Sequence, residues 1–249
     1  MLISFRQLCL MTGLCFGLYA NVQAETLKMG ANISSPPFIF RDDESKLTGF
    51  EIELINEIGK QEGFDVRVTP AIFPFVFTQL EKGDIDFIGN LYYSEERNNA
   101  YLLSQPYYTE TLQYAALGDK KIENPLMDGS RVSVLASSPV EEILHEELPK
   151  YPGVKLVSEE TSYLGFKDLF IKKVDFMIST QSNIASLTNA YPQYEYQTFT
   201  PEGALNKTVT LHFLTLKSNS KLMERINQGL NKLIENGKFD ELKAKYHLK

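Results

Sequence analysis

The sequence predicts an α/β protein of two similar lobes, and three observations predict it. Residues 27–90 run strand, helix, strand, helix, strand, the order of a parallel sheet with helical connections. A related order recurs later, where residues 77–88 overlay 166–177 so that Asp86-Phe87 falls on Asp175-Phe176. An apolar strand at 209–216 and one or two helices at 221–246 then need a home. Folded back onto the first lobe, they make two adjacent chain crossings, near residues 112–118 and 203–210, which together form a hinge. The expected division is 25–113 with 209–249 in the first lobe and 114–208 in the second.

Residues 27–31 read as a short strand, followed by the Pro-rich loop Ser34-Ser35-Pro36-Pro37-Phe38. From Gly49 to Gly63 the apolar Phe50, Ile52, Leu54, Ile55 and Ile58 keep close to helical spacing with glutamates between them, and Gly63 supplies the stop. Residues 65–69 alternate as a strand, 76–81 read as a helix ending at Gly83, and 84–90 as a buried strand whose last residues turn small and polar. In the second lobe 131–136 is a strand. Ser138-Pro139-Val140-Glu141 opens a helix with an N-cap, Pro at N1 and Glu at N3. Strands at 154–157 and 174–180 flank a helix at 165–172, and Leu222, Ile226, Leu230, Leu233 and Ile234 line one face of the terminal helix.

The 249 residues carry 25 Lys+Arg against 32 Asp+Glu, a net charge of −7, with no basic run. A nucleic-acid partner, which needs a basic face to replace counterions on phosphate, is therefore excluded. The first 24 residues differ from the rest: Arg6 precedes an apolar stretch over 8–20, and Val22-Gln23-Ala24 puts small residues before a cut at Glu25. This pattern predicts a cleaved secretory signal peptide, since about 13 apolar residues fall short of the roughly 20 that span a bilayer. Both cysteines, Cys9 and Cys15, lie in this leader, so the exported chain is expected to have no thiol, disulfide or Cys-ligated metal.

In open α/β sheets ligands bind beyond the carboxyl ends of strands. The residues there are Gly89, Asn90 and Tyr92, followed by Arg97 in Ser94-Glu95-Glu96-Arg97; Ser137 and Ser138; and Ser179, Thr180 and Gln181. A guanidinium offers a planar fork that fits a carboxylate bidentately, although from position alone Arg97 reads better as a surface residue on the first turn of a helix. Ser138 is a helix cap, and the free N–H groups of that helix start also attract a carboxylate. Phe38, Phe40, Phe73, Phe75 and Phe77 crowd two loops; most belong to the core and one or two are left to line a pocket. His145, His212 and His247 are scattered with no metal-ligand spacing, and no nucleophile elbow, phosphate loop or dinucleotide fingerprint occurs. The residues describe a binder, with no catalytic residue, metal or cofactor expected.

Several stretches resemble bacterial extracellular solute-binding proteins of family 3, the periplasmic receptors of polar amino-acid ABC transporters. They are Ser35-Pro36-Pro37-Phe38, Gly49-Phe50-Glu51-Ile52-Glu53-Leu54, Gly83-Asp84-Ile85-Asp86, Ser94-Glu95-Glu96-Arg97, Ser104-Gln105-Pro106-Tyr107-Tyr108 and the late Ile234-Glu235-Asn236-Gly237-Lys238-Phe239-Asp240. The resemblance implies the type II periplasmic binding protein fold, each lobe a mixed, mainly parallel sheet flanked by helices. It also implies a monomer that delivers a small carboxylate-bearing, amino-acid-like solute to an inner-membrane ABC permease. Carried over by position, Arg97 holds the ligand carboxylate, Gly89, Asn90 and Tyr92 border the ligand, and Ser137 and Ser138 close on it from the second lobe. Phe73 and Phe38 supply apolar walls. Thr180 stands where the family commonly has an acid for the ligand ammonium, and Ser35 where it often has a stacking aromatic. Either Glu159, Glu160 or Glu202 substitutes, or the ligand lacks a standard α-amino group. Some periplasmic cyclohexadienyl-type dehydratases resemble the family closely and would need a buried acid facing the ligand; a ligand-sensing module is a further alternative.

Overall fold

The computed structural model describes residues 24–118 and 125–248. The expected signal peptide, with Cys9 and Cys15, lies outside them apart from Ala24. A ten-stranded sheet carries both halves of the chain. In its first half β1 (Glu25–Ala31) pairs in parallel with β4 (Phe64–Pro70) and β5 (Phe87–Tyr92), as expected for strands linked by α1 (Phe50–Glu62) and α2 (Phe73–Lys82). The two-residue strands β2 (Phe40–Arg41) and β3 (Leu47–Thr48) form a separate ribbon. After β5 come α3 (Glu95–Ala100) and β6 (Leu102–Leu103).

The ten-residue β7 (Tyr108–Leu117) joins the halves. Its first four residues pair with β12 (Thr208–Thr215), and from Leu112 onward it pairs with β10 (Phe176–Thr180). The remaining second-half elements are β8 (Arg131–Leu135), α4 (Pro139–Glu147), β9 (Lys155–Glu159), α5 (Ser162–Phe170), α6 (Gln181–Ala190) and β11 (Tyr196–Phe199). β8 pairs in parallel with β9 and β10, while β7 and β11 are antiparallel, so this half is mixed as well. The C-terminal helices α7 (Ser220–Glu235) and α8 (Lys238–Lys245) return to the first half. Leu222, Ile226, Leu230 and Leu233 of α7 are buried with Leu54, Ile55 and Ile58 of α1 in one core.

Several boundaries shift by one to three residues from expectation, two of them for identifiable local reasons. α2 begins at Phe73, with a proline in its first turn where a missing N–H costs nothing. β5 begins at Phe87 because Asp86 leaves the strand direction to accept the Lys28 N–H at 2.7 Å through its side chain. Among the described residues no helix is long and apolar enough to cross a membrane, and no cluster of three or more His, Cys, Asp or Glu is arranged to hold a metal.

Candidate functional site

The carboxyl ends of β5, β8 and β10 converge on a cavity of about 30 Å³ between the halves. That is room for about two waters, at roughly 10–15 Å³ each, so a solute of amino-acid size requires the two sides to part. Of the expected residues, Phe73, Asn90, Tyr92, Ser138 and Thr180 line it, together with Asn32, Ser35, Leu112, Val134, Leu135, Val140, Ser162, Ile178 and Ser179. None of these side chains carries a carboxyl group.

Arg97 sits beside this cavity, only 7% exposed, which settles against the surface reading of its position. Ser94 caps α3 by accepting the Arg97 N–H at 3.3 Å, so the sequence signal for a helix start is real and places the arginine on the first turn. Its guanidinium donates from Nη1 to the Tyr92 carbonyl at 2.7 Å and from Nη2 to the Ser137 carbonyl at 3.1 Å. The rings of Phe73 and Phe77 lie 5.3 and 5.6 Å from its Cζ, within cation–π range. Burial pulls its pKa down to about 10, partly offset by Glu142 and Glu96, and the group stays cationic at neutral pH.

Two strand ends on opposite sides of the cleft share an uncommon backbone state. Asn90 (φ 56°) and Ser137 (φ 57°) are both left-handed, a strained conformation for non-glycine residues that concentrates at functional sites. At Ser137 a glutamate holds the turn: Glu141 Oε2 accepts the Ser137 N–H at 2.6 Å, while Ser138 Oγ accepts the Glu141 N–H at 3.2 Å. This is a capping box shifted by one residue. At Asn90 the support is Glu51, fully buried in the first turn of α1, which accepts the Tyr107 hydroxyl at 2.5 Å and lies close to the Asn90 backbone. Burial pushes the Glu51 carboxyl up to about 8.

One expectation is corrected by where the side chain lies. Phe38 does not border the cavity; it is fully buried, with Phe50 and Tyr108 rings 6.1 and 5.5 Å away. An aromatic in a short loop next to β1 gains more by joining that core than by facing a cleft. Gly89 is adjacent to the site, but its size is dictated from behind, since a Cβ there would come within 2.1 Å of Glu51 Oε1 and 2.8 Å of Met29 Sδ.

None of the acids expected to compensate for Thr180 lines this cavity. Glu159 pairs with Lys173, Glu202 lines a separate pocket with Tyr114 and Tyr151, and the Glu160 carbonyl accepts Asn32 Nδ2 at 3.3 Å. Sequence reasoning missed Glu110 of β7, buried next to Thr180 and Tyr92; its alternation with Leu112 and Tyr114 along one strand was the available signal. It also missed Asn183, whose Nδ2 donates to the Pro36 carbonyl at 2.8 Å and ties α6 to the opposite half.

Comparison with known proteins agrees with this architecture. Residues 27–249 match the model of the bacterial extracellular solute-binding proteins, family 3. The L-cystine-binding protein TcyJ of Escherichia coli is 25% identical over 227 residues, covering 89% of this chain and 82% of that protein. The sensor protein EvgS of Escherichia coli is 26% identical over 211 residues, but the chain spans only 17% of its length. A solved structure of an ancestral arginine-binding protein bound to arginine superposes with a TM-score of 0.80 at 25% identity, covering 89% of this chain and 97% of that one. With a match running from the first strand to the last residue, the chain belongs to the bacterial extracellular solute-binding proteins of family 3.

Proposed function

We propose that the protein is the solute-binding component of an ABC importer, capturing an amino acid or a close derivative by closure of two lobes around it. The observation that carries this reading is the buried Arg97 guanidinium, set where the two halves meet with one Nη on a backbone carbonyl that a ligand carboxylate would replace. The lobes are residues 25–113 with 209–249, and 114–208, hinged where β7 exchanges β12 for β10 between Thr111 and Leu112. Ligand contacts to both lobes favour the closed form by their differential affinity. Asn90, Tyr92, Ser138 and Phe73 border the bound solute, with Ser137 beside its carboxylate.

The chain acts as a monomer after export through a leader cut before Glu25, in the periplasm, and hands its solute to an inner-membrane permease. Binding without catalysis fits a cleft whose lining side chains are hydroxyl, amide, aromatic and aliphatic. The test is a thermal-shift screen of the exported chain against amino acids, beginning with cystine, arginine and glutamine, followed by calorimetry on each hit. A ligand that binds the native state raises the melting temperature. No shift with any amino acid, derivative or simple carboxylate overturns the reading.

A further inference from the structure

Every described side chain that lines the cavity between the halves is uncharged. On the second-half side the wall is a piece of that half's core: Leu112, Val134, Val140 and Ile178 belong to one buried apolar cluster, against which Tyr92 packs. Such a wall takes hydrocarbon and offers nothing to a charged or strongly hydrated group. At its edge Thr180 Oγ1 is buried with no hydrogen-bond partner among the described residues, next to the Tyr92 phenol, which burial keeps protonated. Both are neutral hydroxyls with a proton to donate. Glu110, an acid that adjoins them, lines a different cavity with Tyr108, Gln181, Ser182 and His247, and its Oε1 accepts the Ser182 N–H at 3.2 Å.

The charge balance of the cleft then decides the kind of solute. Arg97 beside the cavity supplies one positive charge, which a carboxylate neutralises. A solute that also carried an ammonium would bring a second positive charge into a closed, dry space whose lining holds no anion to meet it, and an ion buried without a partner is costly. We propose that the solute is a 2-oxo or 2-hydroxy monocarboxylate with an aliphatic body. Its carboxylate sits on Arg97, its 2-oxygen accepts from Thr180 and Tyr92, and its body lies against Leu112, Val134, Val140 and Ile178. The inference rests on the function proposed above and narrows it to amino-acid derivatives that carry no ammonium. It also gives the Thr180 hydroxyl the acceptor that a buried donor otherwise lacks.

The experiment is calorimetry on wild type and Thr180→Asp with probes of one carbon skeleton: 4-methyl-2-oxopentanoate, both enantiomers of 2-hydroxy-4-methylpentanoate, and L-leucine. Two further probes, 2-oxoglutarate and L-arginine, add a charge at the far end. Wild type should bind the oxo acid or a hydroxy acid at least about 10-fold more tightly than L-leucine, and should bind 2-oxoglutarate and L-arginine at least about 10-fold more weakly than its best probe. Thr180→Asp supplies the missing anion. It should therefore strengthen L-leucine by about 10-fold or more and weaken the oxo and hydroxy acids by at least as much. If that variant fails to fold, the wild-type comparison decides by itself. A wild type that prefers L-leucine, L-arginine or 2-oxoglutarate overturns the inference, as does a folded Thr180→Asp that leaves the order of the probes unchanged. Either result leaves the solute-binding reading standing. A wild type that binds none of these probes also overturns the inference, and the solute-binding reading falls with it only if the wider screen of amino acids, derivatives and carboxylates is silent as well.

Discussion

The Arg97 guanidinium bridges the carbonyls of Tyr92 and Ser137, the latter 40 residues further along the chain and on the other side of the cleft. Ser137 presents its carbonyl because its backbone is left-handed, and a neutral carbonyl is a weaker partner for guanidinium than a carboxylate, whose two oxygens match the fork. Arg97→Ala is expected to reduce affinity for the amino-acid ligand by more than about 100-fold, and Arg97→Lys, which keeps the charge but not the fork, by about 10- to 100-fold. Calorimetry reads both, with circular dichroism checking the fold. Wild-type affinity in the lysine variant would refute bidentate capture.

Asn183 and Pro36 form a second tie across the cleft, Nδ2 to carbonyl at 2.8 Å. A single neutral hydrogen bond contributes about 0.5–1.5 kcal/mol net, and this one is available only when the halves are together. Asn183→Ala should therefore leave the stability of each half nearly intact and shift the population toward separation. The expected readings are a larger radius of gyration in solution scattering without ligand and a loss of about 2- to 10-fold in affinity. An unchanged radius together with unchanged affinity would show that the tie does not bias closure.

What was legible in the sequence was local. Ser94 and Ser138 announce their helices because a cap satisfies N–H groups two or three residues away, and Gly63 and Gly83 end theirs in the left-handed state that glycine adopts without strain. β7 was not legible as a strand from Tyr108, since its pairing with β12, β10 and β11 lies far away in sequence and a buried glutamate interrupts its pattern. α6 opens with Gln181-Ser182-Asn183, polar residues that read as a loop until Asn183 is seen to turn inward. Arg97 and Phe38 were ambiguous for opposite reasons. A charge is normally outside and an aromatic normally inside; the arginine is the exception and the phenylalanine follows the rule.

Gly89→Ala tests whether the glycine serves the ligand or the core. The added Cβ would overlap Glu51 Oε1 and Met29 Sδ, both buried, so relief requires backbone movement at the end of β5. Overpacking of this kind costs about 1–3 kcal/mol, or a fall of several degrees in melting temperature for a chain of this size. Glu51→Ala in the same background should recover part of the loss, because it removes the nearest obstruction. A variant as stable as wild type would mean that β5 yields more readily than its neighbours suggest.

The pH dependence of stability follows from the same glutamate. Burial raises Glu51 from 4.5 to about 8 and Glu110 from 4.5 to about 7, so between these limits the folded chain holds protons that the unfolded chain has released. Stability rises with pH only where the unfolded state binds more protons; here it binds fewer. The contribution of Glu51 is therefore complete below about pH 4.5 and is lost progressively as pH rises to about 8, amounting to a few kcal/mol across the window. His212, whose pKa burial lowers, acts in the opposite sense at the acidic end, which makes the difference between wild type and Glu51→Gln the informative quantity. The neutral amide keeps the shape of the protonated acid without its titration. Relative to wild type, Glu51→Gln should gain stability steadily from pH 5 to pH 8 and no further above that, as read from denaturant melts at unit intervals. A difference independent of pH would mean that Glu51 is charged in the folded protein throughout, and that the support of the Asn90 turn is ionic.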